Sequence, residues 1–315
     1  MPELPEVETT VRGLKKEIIG RKIINVWTDW PNYFKKPTTK TAFSKCVVGW
    51  KIEDVYRKGK NVLIELSPPA SKQTRHGAGN KILLIHQKMS GHLLVGKWRI
   101  KNEAGRVDNE NWKNEKWIPS PFKGAVTDLR NRFIRLIFFL DDGRMLALSD
   151  LRRFAKALCG TKNEILNSSH LKLGPNPLGT DFSFEKFKEV IEGKKARIKT
   201  FLMNQSVISG IGNIYSDEML WKAGIYPLTP INEIDNRKLR DLYEAIKSVL
   251  KKAVKLRGTS IDDYRDSKGR KGKYERELIV YQRDGEPCPR CGEKIKKTKI
   301  GGRTARFCPK CQSRN

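Results

Sequence analysis

Apolar residues recur at Val7, Val11, Leu14 and Ile18, the three-and-four spacing of a helix that buries one face, and Gly20 follows as a stop. The pattern then changes to short β-favouring runs: Ile23–Trp27, Val47–Tyr56, Asn61–Leu66, Ile82–His86, Leu93–Ile100, Phe133–Leu140 and Met145–Ser149. Turn signals such as Asp141-Asp142-Gly143 separate several of them. So many short strands after one helix predict a β-sandwich or barrel. Ser67–Asn80 and Lys101–Gly124 break the pattern with polar, Pro-, Gly- and charge-rich sequence and read as surface insertions.

The character changes again around 171–180, where Leu173-Gly174-Pro175-Asn176-Pro177 reads as a linker turn. Helical periodicity follows over Phe184–Glu192, Lys195–Asn204, Asn213–Ala223 and Ile234–Leu256. A third piece carrying paired cysteines starts near Glu286. The fold class expected is therefore α+β and multidomain, with a β-sandwich behind a leading helix over 1–165, a helical domain over 175–285 and a small ribbon over 286–315.

Charge narrows the partners. The chain holds 64 Lys and Arg against 35 Asp and Glu, a formal +29. Residues 268–315 alone hold fifteen cations against five anions. Such an excess points to a polyanionic partner, usually nucleic acid, although a charge-adapted or ribosome-associated protein also suits it. No apolar run is long enough to span a membrane. The acidic, proline-punctuated start Met1-Pro2-Glu3-Leu4-Pro5-Glu6 is unlike a signal peptide, so a reduced, cytoplasmic setting is expected. Cys46 and Cys159 then read as small buried apolar residues.

The other four cysteines form two C-x2-C knuckles, Cys288/Cys291 and Cys308/Cys311, separated by sixteen residues. Four thiolates at this spacing can close a tetrahedral zinc site around a β-hairpin. Four protein ligands leave no open position, so the one Zn2+ expected is structural. The hairpin between the knuckles carries Lys294, Lys296, Lys297, Lys299, Arg303 and Arg306, which suits contact with DNA phosphates. A ribbon alone is common to many nucleic-acid and protein-binding factors.

The N-terminus offers chemistry of its own. Loss of Met1 would expose Pro2 as a secondary amine. An α-amino group is roughly a tenth neutral at pH 7, against roughly a few parts in ten thousand for lysine, so the terminus is the better nucleophile before any tuning. Attack on a sugar C1′ yields an iminium ion, an electron sink that favours elimination of the attached phosphates. Glu3, next in sequence, can exchange protons with the sugar. The same prolines also suit a plain helix start.

The string Met-Pro-Glu-Leu-Pro-Glu-Val-Glu-Thr resembles the N-terminus of formamidopyrimidine-DNA glycosylases. Gly210-Ile211-Gly212-Asn213-Ile214-Tyr215 resembles that family's helix-two-turns-helix clamp, and Met89-Ser90-Gly91 and Leu151-Arg152-Arg153-Phe154 resemble its duplex-probing loops. The four-cysteine ribbon completes the set in the family's order, so the resemblance runs from residue 2 to residue 312, the two insertions apart.

The resemblance implies roles. Pro2 is expected as the Schiff-base nucleophile and Glu3 as proton donor and acceptor, with Glu6 and Tyr215 at the damaged-base pocket. Lys60, Asn213 and Arg303 are expected to hold phosphates around the flipped nucleotide. By themselves Lys60 also suits a solvated strand edge, and Asn213 a turn or cap. Met89, Arg152 and Phe154 are expected to fill the gap left by the extruded base, offsetting a few kcal/mol of lost stacking and pairing. Without their flanking residues Met89 and Phe154 would read as core. Ser267–Lys273, with Lys271, matches the mobile loop over the lesion. The implied partner is damaged duplex DNA, bound by a monomer.

The chain departs from the family pattern at Lys88, where glycine is usual, at Leu151, where proline is usual, at Phe133, where histidine is expected, and in its two insertions. The resemblance, with Leu4 and Arg152-Arg153-Phe154 as in its purine-directed branch, implies a bifunctional DNA glycosylase and abasic-site lyase for oxidised purines such as 8-oxoguanine and formamidopyrimidines. Two rivals stand beside that reading. An endonuclease VIII-like glycosylase for oxidised pyrimidines typically has glycine where Leu4 stands. A non-catalytic DNA binder on the same scaffold has no need of Pro2, Glu3 or Lys60, all three of which are present.

Overall fold

The computed structural model describes residues 1–69, 79–100 and 116–313. Most of the two expected insertions lies outside the described residues. The chain divides into two compact units, Met1–Leu171 with Arg257–Lys273, and Lys172–Leu256 with Tyr274–Asn315.

The first unit opens with helix α1, Leu4–Ile18, which starts on Glu3 and buries Val7, Val11, Leu14 and Ile18. Behind it come strands β1 (Ile23–Thr28) and β2 (Phe34–Lys36), helix α2 (Lys40–Val47), and strands β3 (Lys51–Lys58), β4 (Asn61–Ser67), β5 (Lys81–His86), β6 (His92–Gly96), β7 (Trp98–Ile100), β8 (Trp117–Pro119), β9 (Ile134–Leu140), β10 (Met145–Ser149) and β11 (Lys156–Thr161). Helix α3, Lys162–Leu166, follows. The strands form a four-stranded sheet in the order β1-β9-β10-β6 and a five-stranded sheet in the order β2-β11-β5-β4-β3. Pairing is antiparallel except between β2 and β11. The period-2 alternation puts Val62, Ile64 and Leu66 of β4 and Leu136, Phe138 and Leu140 of β9 into one core with the apolar stripe of α1. The expected sandwich with a leading helix is present.

Several expected boundaries shift for local reasons. The run expected as a strand from Val47 begins as the end of α2, which Thr39 caps by accepting from the Ala42 N–H at 3.2 Å. Gly49, at φ +84°, then turns the chain into β3. The single strand expected over Leu93–Ile100 splits at Lys97, because the chain folds Trp98 back over Gly96. The resulting β7–β8 pair sits with Trp98 and Trp117 in a second apolar cluster with Ile137 and Ala147, the residues of β9 and β10 that alternate away from the main core. Both β2 and β11 are too short or too small-residued to stand out in the sequence.

The second unit holds α4 (Phe184–Ile191), α5 (Ile198–Met203), α6 (Asn213–Ala223) and α7 (Asn236–Lys255). Asp235 caps α7, accepting from the Lys238 N–H at 2.7 Å. Strands β12 (Lys296–Ile300) and β13 (Arg303–Phe307) form the hairpin between the cysteine pairs. Its turn is Gly301-Gly302, both at positive φ, as a two-residue hairpin requires. Among the described residues no helix is long and apolar enough to cross a membrane.

Candidate active site and nucleic-acid interface

Pro2 and Glu3 are both buried at the start of α1. The Glu3 N–H donates to Glu6 Oε2 at 2.8 Å, so the first turn is locked by its own acidic residue. The other carboxylate oxygen of Glu6 accepts from the Thr259 N–H at 2.7 Å, and Tyr264 donates its hydroxyl to the Glu6 carbonyl at 3.1 Å. Glu6 therefore ties the N-terminus to the strap 257–273. Burial first, and then the charge of Glu6, push the Tyr264 phenol up, so it stays a donor. Gly258 lies at φ +73°, and a Cβ there would run into the Glu6 carboxylate. Only glycine admits this approach.

The strap, which contains the expected loop Ser267–Lys273, is anchored within the first unit. Val95 N–H donates to the Ser267 carbonyl at 2.9 Å, and Asn131 Nδ2 donates to the Gly269 carbonyl at 3.2 Å. Ser267 packs so close to Gly13 that a Cβ on Gly13 would meet its hydroxyl. Lys271 is exposed.

Lys60 is buried beside Gly59, which takes φ +56° in the β3–β4 turn. Arg57 braces this turn, donating to the Gly59 carbonyl at 3.0 Å and to Glu8 Oε2 of α1 at 3.0 Å. Burial opposes the charge on Glu8, but its hydrogen bonds to Arg12 and Arg57 outweigh it and hold the carboxyl below its usual range. Across the sheet, Asn61 pairs with His86 and His86 with Lys156. His86 Nδ1 accepts the Lys88 N–H at 3.0 Å, which leaves the proton on Nε2. Burial, then the charges of Lys88, Lys60 and Lys156, drive its pKa down to about 3, so the ring is neutral.

The two probing loops share one carboxylate. Asp150 is fully buried. Ser90 donates to its Oδ1 at 2.5 Å, while Tyr33 and the Ala155 N–H donate to its Oδ2 at 3.3 and 2.9 Å. The Arg152 N–H donates in turn to Ser90 Oγ at 3.0 Å. A Cβ on Gly91 would collide with the Gln87 carbonyl, so the Met89-Ser90-Gly91 turn needs its glycine. Met89 is half-buried. Phe154 is 50% exposed, an unusual state for a phenylalanine, and the Arg152 guanidinium lies 4.9 Å from its ring. Arg153, at φ 57°, turns to Asp29 and to the face of Trp30.

In the second unit Asn213 opens α6 after Gly212. Gln205 staples the preceding turn, accepting from the Gly210 N–H at 2.8 Å and donating to the Ile211 carbonyl at 2.8 Å. Gly210 takes φ +94°. Asn213 therefore sits where the first backbone N–H groups of the helix emerge, an arrangement suited to phosphate. Tyr215 is fully buried with its ring 5.4 Å from that of Tyr274. Arg303 is exposed next to the hairpin turn. Lys199 and Asp217, both without solvent exposure, pair at 2.5 Å, and Lys199 also donates to the Thr304 carbonyl. Asp217 Oδ2 accepts from the Arg306 N–H at 3.2 Å. The hairpin bearing Arg303 is therefore bolted to the helix bearing Asn213.

The sulfurs of Cys288, Cys291, Cys308 and Cys311 all lie within 4.8 Å of one another. Zinc–sulfur bonds of about 2.3 Å in a tetrahedron separate the sulfurs by about 3.8 Å. Here Cys288–Cys311 is 3.9 Å and Cys291–Cys308 is 3.4 Å, so the four thiolates fit one structural zinc ion. Trp221 donates its indole N–H to Cys288 Sγ at 3.4 Å, as second partners of zinc ligands do.

Residues 1–157 match the formamidopyrimidine-DNA glycosylase N-terminal domain, 173–265 the H2TH domain of that glycosylase, and 285–314 the zinc finger found in FPG and IleRS. A formamidopyrimidine-DNA glycosylase of Heliobacterium modesticaldum is 35% identical over 99% of this chain and all of its own length. The chain belongs to the formamidopyrimidine-DNA glycosylase family. A solved mutant of the Lactococcus lactis family member, in complex with Fapy-dG-containing DNA, superposes with a TM-score of 0.79 at 30% identity, covering 99% of this chain and all of that one. The L. lactis enzyme with abasic-site DNA does so at 0.78, with the same identity and coverage.

His86, Asp150 and Gln205 support the site but are not among the residues that the motifs of the chain single out. His86 had a signal, since it closes β5 three residues before Met89. The other two have none: each acts by hydrogen bonds that only the folded chain assembles.

Proposed function

We propose that Pro2, freed as a secondary amine once Met1 is removed, is the nucleophile of a bifunctional DNA glycosylase and abasic-site lyase. As a member of its family the chain is a base-excision repair enzyme that acts on damaged duplex DNA and carries one structural zinc. The amine attacks C1′ of the damaged nucleotide, the C1′–N bond breaks and the base leaves with a proton. The C1′–O4′ bond then opens, with O4′ taking up the proton the amine sheds, and an iminium remains. Loss of the C2′ proton sends the C2′–H electrons toward that iminium as the 3′-phosphate departs, and a second elimination, with loss of the C4′ proton, releases the 5′-phosphate. A one-nucleotide gap with phosphate ends remains. Glu3 exchanges protons at the deoxyribose. Glu6 and Tyr215 shape the base pocket. Lys60, Asn213 and Arg303 hold backbone phosphates, and His86 offers its Nε2–H beside Lys60. Met89, Arg152 and Phe154 fill the vacated stack, and Lys271 belongs to the strap that covers the lesion. The lesions in this reading are oxidised purines, 8-oxoguanine and formamidopyrimidines. The protein works as a monomer in the cytoplasm, on the bacterial nucleoid.

The observation that carries the reading is the buried Pro2-Glu3 pair at the head of a helix whose Glu6 grips the strap. The test is borohydride trapping on a duplex with one 8-oxoguanine opposite cytosine, beside an abasic duplex, with Pro2→Gly as control. Covalent adducts on both duplexes, lost or greatly weakened in Pro2→Gly, are expected. An adduct on the abasic duplex alone moves the lesion class to oxidised pyrimidines, as in the endonuclease VIII branch. No adduct on either, with Met1 removal verified by mass, leaves a zinc-ribbon DNA binder.

A further inference from the structure

Around the β4–β5–β11 end of the five-stranded sheet, four basic side chains converge beyond Lys60. His86 stands opposite Lys156 in the β5–β11 register, and Lys88 follows His86 by two residues with its backbone locked onto the imidazole. His170, in the turn Ser169–Leu171, joins them: burial and then the charges of Lys156 and Lys88 lower its pKa. Lys88 is lowered in the same way, by burial and by Lys156. All four side chains are half-buried. Among the described residues, neither Lys88 nor Lys156 has a carboxylate within ion-pair distance, whereas Arg57 and Arg135 of the same unit do.

Like charges held together without a counter-ion destabilise the fold. Lys88 adds a second cost. It takes φ 55°, the left-handed conformation that glycine adopts freely and lysine rarely. A long cationic side chain in a strained position, beside a second cation and no anion, is what a site for an external anion requires. The position restricts the anion. Lys88 immediately precedes Met89, and His86 lies across from Asn61, the neighbour of Lys60. On the proposed roles of Lys60 and Met89, the polyanion that would reach these residues is a nucleic-acid backbone.

We propose that Lys88 and Lys156, with His170 at their side, form an additional phosphate site that grips the DNA backbone next to the phosphate held by Lys60. The inference rests on the reading of the chain as a DNA glycosylase, but it concerns binding and leaves the chemistry at Pro2 untouched. The site strengthens the hold on duplex DNA ahead of lesion probing, and it gives part of the excess positive charge a specific target.

The test is a pair of variants, Lys88→Gly and Lys88→Gly with Lys156→Gln. Glycine suits the backbone conformation, so Lys88→Gly removes the charge without adding strain. Affinity for a duplex carrying an abasic-site analogue is measured from 50 to 300 mM salt. In the double variant the log–log slope should fall by about 1, as loss of one neutralised phosphate implies, and affinity at low salt by about tenfold. A methylphosphonate placed at successive positions of the damaged strand should weaken the wild type at one phosphate that leaves the double variant unaffected. Inorganic phosphate should raise the Tm of the wild type more than that of the double variant. Unchanged slope and affinity, or a methylphosphonate profile identical in both proteins, overturns the proposal. Borohydride trapping of the wild type, run alongside, separates the two readings. An altered slope without trapping keeps the phosphate site and removes the lyase. Trapping with an unaltered slope does the reverse.

Discussion

Asp150 accepts from a serine, a tyrosine and a backbone amide, and the loops that carry Met89 and Arg152 both hang from it. Tyr33 remains a donor because burial, followed by the charge of Asp150, pushes its phenol well above the usual range. Asp150→Asn turns one acceptor oxygen into a donor facing donors. It is expected to cost about 1–3 kcal/mol in urea unfolding, and to weaken discrimination between matched and lesion-bearing duplexes more than it weakens binding to an abasic site. His92 provides a second residue-scale prediction. Burial, partly offset by its hydrogen bond to Asn131, drives its pKa down to about 4, with Arg265 adding to the fall. The unfolded value is about 6.5. Between these two values the unfolded chain binds more protons, so stability is lost as pH falls through the window from about 6.5 to about 4. The share of His92 is roughly 3 kcal/mol when complete. His92→Gln, which keeps a donor toward Asn131, should flatten the fall in urea midpoint between pH 7 and pH 4.5.

Among the elements, the strap 257–273 depends most on one position. Gly258 combines a positive φ with contact to the Glu6 carboxylate, and Gly272 sits against the Gly258 carbonyl. Gly258→Ala should push the strap off Glu6. The expected result is a drop of about tenfold or more in base excision, corresponding to about 1.4 kcal/mol of lost transition-state stabilisation, with abasic-site cleavage less affected. The check is single-turnover kinetics on both substrates. The ribbon hairpin depends instead on its metal. It is too small to hold its shape without four bonded sulfurs, so stripping zinc with a chelator should release β12–β13 and lower duplex affinity. The helix-borne half of the clamp should survive, as far-UV circular dichroism would show. Both elements were legible in part. The loop Ser267–Lys273 and the cysteine knuckles stood out in the sequence, but Gly258, α2, β2 and β11 did not, because their partners lie far along the chain.

For the molecule as a whole, charge sets the binding regime. A net +29 spread over both units predicts affinity that falls steeply with salt, by about 0.9 log units per phosphate and per tenfold salt. Affinity constant from 50 to 300 mM would contradict this electrostatic account. The same charge does little for stability: surface cations do pair with carboxylates, as in Lys15–Asp54 and Lys252–Glu277, but such exposed pairs contribute little.

Features that depend on neighbours in the chain were already written in the order of its residues. These are the helix after Pro2 and Glu3, the two cysteine knuckles, the Gly210–Tyr215 turn and the single glycine, Gly91, of the probing loop. Each is a local constraint of capping, ligand spacing or backbone freedom, so it leaves a short-range signature. Folding was needed to establish that Glu6 holds Thr259, that Asp150 serves both probing loops, that Lys199 and Asp217 bolt the ribbon to α6, and that Lys88 and Lys156 both adjoin His86 with no carboxylate in ion-pair distance among the described residues. These contacts join residues brought together by strand pairing and helix packing. A buried carboxylate or a lysine lacking a carboxylate partner has meaning only once its surroundings are assembled, and no periodicity in the chain records them.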